Sequence, residues 1–422
     1  MPSPKPCCKS LCDLSYLHKQ RQRSMKGEKD SRPLKIAILL DKFLPSRGGE
    51  RYFSFLAREL ARRGHEVHVF ATKVEDARAL PYRVHLIPVW NHPRSLRILT
   101  FRRNATRMLR KDHFDIVHGA AESPAVNVLN PHGGVERAYL AGEFASIRSP
   151  LYFAYKLLKR YLSIRHYLEV GLQAALYRKR GLKKVIAISS MIKSDIVRYY
   201  GFPEERIAVV FNCVDTGRFH PHNRAIYRDN KRRELAVADD VLVLLFAGNN
   251  YRLKGLDTLI RALPFLKRDF PGQEFHLLVV GRGHERPYRR LSRTFGVSAS
   301  VSFLGSVTGM EHYYAASDIY VHPTFYDSCS LTVLEALASG LPVVTSRFNG
   351  ACDAIVSEEG GRVIANPADP RELASAVAFY VDEKRRDRAR TVTRSWMEAY
   401  KPSRNVEETL AVYYEVVRAG SQ

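Results

Sequence analysis

The chain has 422 residues, of which 45% are hydrophobic and 26% are charged, and it carries a net charge of +24 with a pI near 9.9. This length predicts two domains, each able to bury its own core, and no apolar run reaches the roughly 18 residues that would span a bilayer. The charge predicts an acidic partner, namely nucleic acid, anionic lipid or a phosphorylated substrate, and does not by itself choose among them.

Residues 1–33 are predicted to form a basic, disordered leader, because the apolar pattern begins only after them. Three of the six cysteines, Cys7, Cys8 and Cys12, crowd this segment. A metal site there competes with the leader interpretation, but no second Cys/His pair follows at ligand spacing. Since the segment also lacks the apolar core of a signal peptide, we expect the protein to stay in the cytoplasm.

The first domain is predicted to cover residues 34–213 and to open with a β-loop-α-β unit. The run LKIAILLDKF is apolar and flanked by charge, as expected of a buried parallel strand. Phe53, Leu56 and Leu60 then recur at helical spacing, and Gly64 ends that helix before the strand EVHVFAT. Further strands are predicted at VHLIPV, FDIVHG, AVNVLN, KKVIAI and RIAVV.

The second domain is predicted to cover residues 214–396, and its pattern restarts after the connector GRFHPHNRAIYRDNKRREL, which is polar and basic. Strands and amphipathic helices then alternate from VLVLLFAGNN to LPVVTS. Two such series predict an α/β fold of two doubly wound, Rossmann-like domains that face each other across a cleft. A last helix, in residues 397–422, is predicted to return to the first domain.

The segment TFYDSCSLTVLEALASG places two acids around the start of an apolar helix. Free backbone N–H groups at Ser330, Leu331 and Thr332 would attract a phosphate. Asp327 and Glu335 would then accept hydrogen bonds from the hydroxyls of two sugars, as in a nucleoside diphosphate sugar. The alternative is a capping acid followed by an incidental helical glutamate.

Three cations fall near predicted strand ends, where open α/β sheets bind ligands. Arg252 and Lys254 follow the strand VLVLLFAG, and Arg218 lies at the domain junction. Together they would neutralise a diphosphate. The competing interpretation of each one is a solvated surface charge.

The first domain contributes glycine turns. Gly48 and Gly49 follow the first strand and would let the backbone approach a ligand closely, although an ordinary strand-to-helix turn explains them equally well. His132 precedes another glycine pair, and we expect it to orient the donor sugar; a structural histidine is the alternative. In the later turn GRGHE, both packing and contact with a nucleotide base remain open.

Residues 149–180 are predicted to form a long amphipathic helix in which aromatic and basic side chains alternate. This composition is typical of a helix on an anionic membrane surface. RNA binding and a core helix with a solvated basic face are the alternatives.

These stretches resemble the retaining nucleotide-sugar glycosyltransferases of the two-domain GT-B fold, glycosyltransferase family 4, and most of all the lipopolysaccharide-core glucosyltransferases that act on inner-core heptose. The likeness extends over residues 34–415. The motifs that carry it occur in family order: FLPSRGGERYF, FNCVDTGRF, IYRDNKRREL, NYRLKG, LLVVGRG, HPTFYDSCSLTVLEALASGLPVVTS and FNGACDAI.

The resemblance implies a role for each matching residue. It gives Glu335 the ribose and Asp327 the transferred sugar, with Asp in place of the family's first Glu. Because Leu253 stands just before the diphosphate lysine, Arg252 would have to replace the family's arginine. The other residues implied are Lys254 and Arg218 on the diphosphate, the amides of Ser330 to Thr332 on the distal phosphate, Gly48 and Gly49 in the glycine loop, and His132 in the catalytic cleft.

The predicted function is therefore transfer of a hexose, glucose by the resemblance, from a nucleoside diphosphate sugar to lipopolysaccharide core or a related glycolipid. The resemblance implies retention of configuration by front-face attack, and neither metal nor cofactor. We expect a peripheral enzyme on the inner face of the cytoplasmic membrane, with an anionic membrane surface and no nucleic acid among its partners. A nucleotide-sugar epimerase of the same fold and a non-enzymatic nucleic-acid-binding protein are the alternatives, and the oligomeric state is open.

Overall fold

A computed structural model describes residues 32–43, 48–74, 80–120, 123 and 125–420. The predicted leader lies outside the described residues, apart from its last two. The chain divides into two compact units. The first contains residues 1–138, 154–211 and 403–422, and the second contains residues 139–153 and 212–402.

Parallel strands form the framework of both units. Their runs of β-branched and other apolar residues are buried on both faces, as in LVLLFA, where every residue is buried. In chain order the strands are β1 Lys35–Leu39, β2 Lys42–Phe43, β3 Glu66–Ala71, β4 Lys73–Val74, β5 Arg83–Leu86, β6 Ile116–Gly119, β7 Val128–Leu129, β8 Lys184–Ala187, β9 Ile207–Val209, β10 Leu242–Ala247, β11 Phe275–Val280, β12 Val301–Gly305, β13 Ile319–His322, β14 Val343–Ser346 and β15 Gly361–Ile364.

Helices connect most of these strands, as parallel pairing requires. In chain order they are α1 Gly48–Arg62, α2 Arg94–Leu109, α3 Glu136–Ala145, α4 Pro150–Tyr161, α5 Ile164–Tyr177, α6 Ser190–Tyr200, α7 Asn223–Glu234, α8 Leu256–Asp269, α9 Arg286–Thr294, α10 Met310–Ala316, α11 Leu331–Ala338, α12 Pro370–Ala378, α13 Glu383–Trp396 and α14 Pro402–Arg418.

The first unit is built on a seven-stranded sheet in the order β5-β3-β1-β6-β7-β8-β9. Its core combines the inward side chains of β1 and β3 with those of α1. Helix α14 completes this core through Val406, Leu410 and Tyr413. A separate ribbon of β2 and β4 extends beyond β1 and β3.

The second unit is built on a six-stranded sheet in the order β12-β11-β10-β13-β14-β15, and every pair in it is parallel. The order reverses beside β10, which lies between β11 and β13. In open α/β sheets the crevice at such a point, outside the carboxyl ends of the strands, is where ligands bind. The predicted α/β class with two parallel sheets is thus confirmed.

Two predictions about local structure are wrong. The basic connector contains helix α7, whose Arg224, Arg228 and Arg232 lie 3.4, 3.0 and 2.6 Å from the buried carboxylate of Asp318. The residues that recur at helical spacing in α7 are arginines and not apolar residues. The long helix predicted at 149–180 is two helices, α4 and α5, because Ser163 caps the start of α5 by accepting a hydrogen bond from the N–H of His166.

Candidate active site

The candidate site of the second unit lies at the carboxyl ends of two adjacent strands. Lys254 is on the loop that follows β10, and Asp327 is on the loop that follows β13. The Nζ atom of Lys254 lies 2.5 Å from Oδ2 of Asp327 and 3.4 Å from the carbonyl oxygen of Tyr326. These side chains are 18% and 15% exposed, so they are largely sheltered but not sealed in the core.

A buried histidine supports the same carboxylate. His322, the last residue of β13, places its Nε2 atom 3.4 Å from Oδ2 of Asp327. Burial alone would raise the pKa of Asp327, but the charge of Lys254 and the neighbouring His322 ring hold it well below its ordinary value. Asp327 is therefore a carboxylate at neutral pH.

The start of helix α11 follows four residues after Asp327. The N–H of Ser330 already donates to Oδ1 of Asn349 at 3.2 Å, so it is not one of the free amides that were predicted. Among the described residues, the N–H groups of Leu331 and Thr332 have no recorded acceptor. These two amides, at the positive end of the helix dipole, are the ones that would receive a phosphate oxygen.

Glu335 lies one turn into α11 and is held by a tyrosine. The buried hydroxyl of Tyr314, on α10, donates to Oε2 of Glu335 at 2.9 Å and also lies 3.1 Å from the carbonyl oxygen of Thr332. Burial and the charge of Glu335 raise the pKa of this phenol well above its ordinary value. Tyr314 therefore remains a hydrogen-bond donor and fixes the Glu335 carboxylate.

Arg218 belongs to the Glu335 end of the site. Its guanidinium donates to Oε2 of Glu311 through Nε at 2.9 Å and through Nη2 at 2.8 Å. The hydrogen bond with Glu311 raises the pKa of Arg218, and the negative charge of Glu335 adds to this shift. Arg218 and Glu335 are thus electrostatic neighbours, while Lys254 is paired with Asp327.

Arg252 has different partners. Its Nη2 atom lies 3.4 Å from Oε1 of the buried Glu143, and its guanidinium carbon is 5.2 Å from the ring centroid of Tyr152. Both partners come from helices α3 and α4, in the segment 139–153 that belongs to the second unit. Arg252 and Lys254 are therefore two residues apart in the chain but paired with different acids.

Helix α3 packs very closely against the loop that carries Asp327. A Cβ atom added at Gly142 would lie 2.6 Å from the carbonyl oxygen of Phe325 and 2.7 Å from Cβ of Tyr326. Only glycine permits this approach of helix and loop. The position of the Asp327 loop thus depends on a residue that precedes it by far in the chain.

The residues predicted in the first unit lie after a strand of its sheet and at the start of a helix. His132 follows β7, and its ring packs against Tyr52 and Phe53 at centroid distances of 4.4 and 4.9 Å. Burial lowers the pKa of His132 to about 3, so its imidazole is neutral at pH 7. Gly48 and Gly49 begin helix α1.

Packing explains the glycine turn after β11. A Cβ atom at Gly283 would lie 2.2 Å from the ring of Tyr251, and the Tyr251 hydroxyl donates to the carbonyl oxygen of Gly281 at 2.7 Å. The turn therefore closes over an aromatic ring. This geometry favours the packing interpretation over contact with a nucleotide base.

Several residues that shape the site were not predicted from the sequence: His322, Tyr314, Asn349, Glu311, Glu143 and Gly142. His322 had a usable signal, because it ends a buried strand beside the Asp327 loop. The others come from distant segments, and their spacing in the chain carries no signal. Within the described ranges, no group of three or more His, Cys, Asp or Glu side chains is arranged as a metal-binding cluster.

Two family patterns match the chain. The one described as Glycosyl transferases group 1 matches residues 241–383, and the one described as Glycosyltransferase Family 4 matches residues 46–218. The first match contains Lys254, Asp327 and Glu335. The second contains His132 and ends at Arg218.

Individual proteins are similar over different lengths. Lipopolysaccharide glucosyltransferase WaaG of Escherichia coli (strain K12) is 26% identical over 345 residues, which is 80% of this chain and 87% of WaaG. D-inositol 3-phosphate glycosyltransferase 2 of Catenulispora acidiphila is 33% identical over 213 residues, which is 48% of this chain and 49% of that protein.

Solved structures share the fold. The crystal structure of WaaG, a glycosyltransferase involved in lipopolysaccharide biosynthesis, matches with a TM-score of 0.72 at 23% identity and covers 89% of this chain and 98% of WaaG. Anabaena HepE in complex with UDP and glucose matches with a TM-score of 0.65 at 16% identity, covering 92% of this chain and 100% of HepE. The chain therefore contains a glycosyltransferase group 1 domain and a glycosyltransferase family 4 domain, and it shares the GT-B fold of these solved structures.

Proposed function

We propose that this glycosyltransferase moves a hexose, with glucose as the first candidate, from a nucleoside diphosphate sugar to lipopolysaccharide core or a related glycolipid. The observation that carries the proposal is the Lys254–Asp327 pair at 2.5 Å, next to two amides at the start of α11. It supplies a cation and helix-end donors for a diphosphate, and a carboxylate for sugar hydroxyls. The similarity to WaaG supports the choice of sugar and acceptor.

When the donor binds, Lys254 and Asp327 would separate and each would bind a different group of the donor. The diphosphate would take Lys254 and the amides of Leu331 and Thr332, and Asp327 would turn to the hydroxyls of the transferred sugar. Glu335, fixed by Tyr314, would accept hydrogen bonds from the ribose. Preorganised positive groups of this kind stabilise the charge that develops on a leaving diphosphate.

The reaction would break the bond between the anomeric carbon and a phosphate oxygen and form one to an acceptor hydroxyl oxygen. The hydroxyl proton would pass to the departing diphosphate. We propose that no metal or cofactor takes part, because Lys254 and the helix-start amides provide the positive charge that a metal would otherwise supply. Retention of configuration follows from the resemblance to retaining family members.

Contact with an anionic membrane surface is part of the proposal and is supported by helix α4. None of its residues is buried, and it exposes Leu157, Leu158 and Tyr161 beside Lys159 and Arg160. Apolar and aromatic side chains flanked by cations suit the interface of an anionic bilayer. Within the described residues, no helix is both long enough and apolar enough to cross a membrane.

The proposal is tested by incubating the purified full chain with radiolabelled UDP-glucose, with and without lipopolysaccharide core, in EDTA. We expect acceptor-dependent transfer of label with EDTA present, and its loss in Glu335→Ala with the fold retained. Conversion of the donor to another nucleotide sugar without acceptor would instead indicate an epimerase. Transfer that is unchanged in Glu335→Ala would contradict the site.

A further inference from the structure

A cavity of about 670 Å³ opens in the first unit, beyond the carboxyl ends of β1, β3 and β5. Its polar wall comes from segments that each follow one of these strands. The described residues that line it are Lys42, Thr72, Lys73, Asn91 and Arg97, together with the apolar segment 86–89. This edge of a parallel sheet is where α/β proteins bind ligands.

Two lysines in the wall are direct neighbours. Lys42 and Lys73 are registered partners in the parallel ribbon of β2 and β4. Registered partners project to the same side of a ribbon, and the two strands lie about 4.8 Å apart. Like charges placed directly opposite each other destabilise a strand pair. The fold thus places two lysines opposite each other on one side of the ribbon.

The nearby carboxylate does not neutralise them. Asp41 receives both arms of Arg97, with Nη2–Oδ1 at 2.5 Å and Nη1–Oδ2 at 3.1 Å. The Thr72 hydroxyl donates to the carbonyl oxygen of Asp41 at 2.6 Å, which links the residue before β4 to the residue before β2. Over the described part of the chain, no ion pair is recorded for Lys42 or Lys73. Among the described residues, neither lysine therefore has an acidic partner in the wall of the cavity.

We propose that this cavity binds a phosphate monoester carried by a sugar, with the phosphate bridging Lys42 and Lys73. A phosphate monoester has a charge of about −1.5 to −2 at pH 7, which is opposite to the summed charge of the two lysines and close to it in magnitude. Asn91 lines the same space, and Leu86, 62% exposed, offers an apolar surface to a sugar ring. The inference rests on the proposed function and deepens it, since the phosphorylated sugar would be part of the acceptor.

The experiment measures direct binding to the full chain by 31P and saturation-transfer NMR, without donor. Glucose 6-phosphate is the probe, and glucose and inorganic phosphate are the comparison ligands. The variants are Lys42→Gln/Lys73→Gln, the charge-conserving Lys42→Arg/Lys73→Arg, and the control Lys111→Gln/Lys183→Gln, which removes two exposed lysines of the same unit.

We expect glucose 6-phosphate to bind more tightly than either comparison ligand. The Gln/Gln variant should lose at least about tenfold in affinity, because charge-assisted hydrogen bonds to phosphate are removed, while the Arg/Arg variant and the control retain binding. Equal binding by the wild type and the Gln/Gln variant would overturn the site. Inorganic phosphate binding as tightly as glucose 6-phosphate would overturn the sugar-phosphate assignment.

A parallel titration of each variant with UDP separates this inference from the proposed function. Lys42 and Lys73 belong to the first unit, whereas Lys254 and the amides of Leu331 and Thr332, which are proposed to hold the diphosphate, are in the second. We therefore expect UDP to raise the melting temperature equally in the wild type and in the Gln/Gln variant. A failure of UDP to bind any of these proteins would count against the proposed function and leave the glucose 6-phosphate result to stand alone.

Discussion

The hydroxyl of Tyr314 donates a 2.9 Å hydrogen bond to the carboxylate of Glu335, so the acid proposed to bind the ribose is fixed from a different helix. Tyr314 is 1% exposed and packs against Phe219 and Tyr320 at centroid distances of 5.8 and 5.9 Å. Because this packing fixes the ring, the hydrogen bond from its hydroxyl also fixes the carboxylate of Glu335. Tyr314 is therefore a positioning residue of the site.

Replacing Tyr314 with Phe should weaken donor binding through Glu335. We expect KM for the donor to rise severalfold with little change in kcat, and a loss of about 1 kcal/mol in the free energy of unfolding, because one hydrogen bond is removed. Steady-state kinetics with UDP-glucose and its 2′-deoxy analogue check this. The analogue should lose less affinity than UDP-glucose. Tyr313→Phe, next to it on α10, is the matched control, and equal effects of the two changes would contradict the positioning role.

Adding a methyl group at Gly142 should disturb the Asp327 loop. In Gly142→Ala the new Cβ would meet the backbone of Phe325 at 2.6 Å, so helix or loop must shift. We expect a lower melting temperature and weaker UDP binding, as measured by calorimetry. The control is Gly171→Ala in α5, where a Cβ meets nothing within 4 Å and alanine should stabilise the helix by up to about 1 kcal/mol. Unchanged UDP affinity in Gly142→Ala would show that the loop does not depend on this contact.

Burial of His118 predicts a dependence of stability on pH. It is 0% exposed, and burial lowers its pKa to about 3 from an ordinary value of 6.5. Between these values the unfolded chain binds a proton that the folded protein excludes, so the free energy of unfolding should fall as the pH drops from 6.5 towards 3.

Denaturant titrations across this range should show His118 contributing about 1.4 kcal/mol per pH unit. His118→Gln should reduce the slope by this amount, while the remaining slope includes His132, whose pKa burial also lowers to about 3. An identical slope in the wild type and in His118→Gln would contradict the assignment.

Exposed leucines on α4 should contribute to membrane binding. Leu157 and Leu158 are 53% and 59% exposed, so Leu157→Gln/Leu158→Gln should leave the fold intact. We expect binding to phosphatidylglycerol vesicles to weaken by about tenfold or more, because two apolar side chains no longer enter the bilayer. Vesicle sedimentation measures this. Ile226→Gln, another exposed apolar position, should have no effect, and equal binding of all three proteins would exclude α4 as the contact.

The sheets could be predicted because their strands are continuous apolar runs buried on both faces. The placement of Lys254 and Asp327 at one site could also be predicted, because residues that follow adjacent strands meet at one edge of a sheet. Helix α7 was not predicted because the residues that recur at helical spacing in it are arginines, which pair with Asp318. Because these positions are not apolar, apolar periodicity predicts a solvated connector there.

Other features of the site depend on segments that are distant in the chain. Asn349 accepts the hydrogen bond of the Ser330 N–H, so two of the three predicted amides remain to bind a phosphate. Arg252 pairs with Glu143, which precedes it by 109 residues. Helical spacing indicates which residues share a face of one element, but it carries no information on which side chain from another element will meet them. The individual roles assigned to the site residues stay predictions.

The most direct test of the central claim is calorimetric titration of UDP into the wild type, Lys254→Gln and Lys267→Gln. Lys267 is an exposed lysine on α8, and its replacement by Gln is the control that removes the same charge elsewhere. If Lys254 holds the diphosphate, Lys254→Gln should bind UDP at least about tenfold more weakly, since a charge-assisted contact is lost, and Lys267→Gln should bind it like the wild type. UDP affinities that are equal in all three proteins, with Lys254→Gln fully folded, would contradict the claim that Lys254 and the start of α11 form the donor diphosphate site.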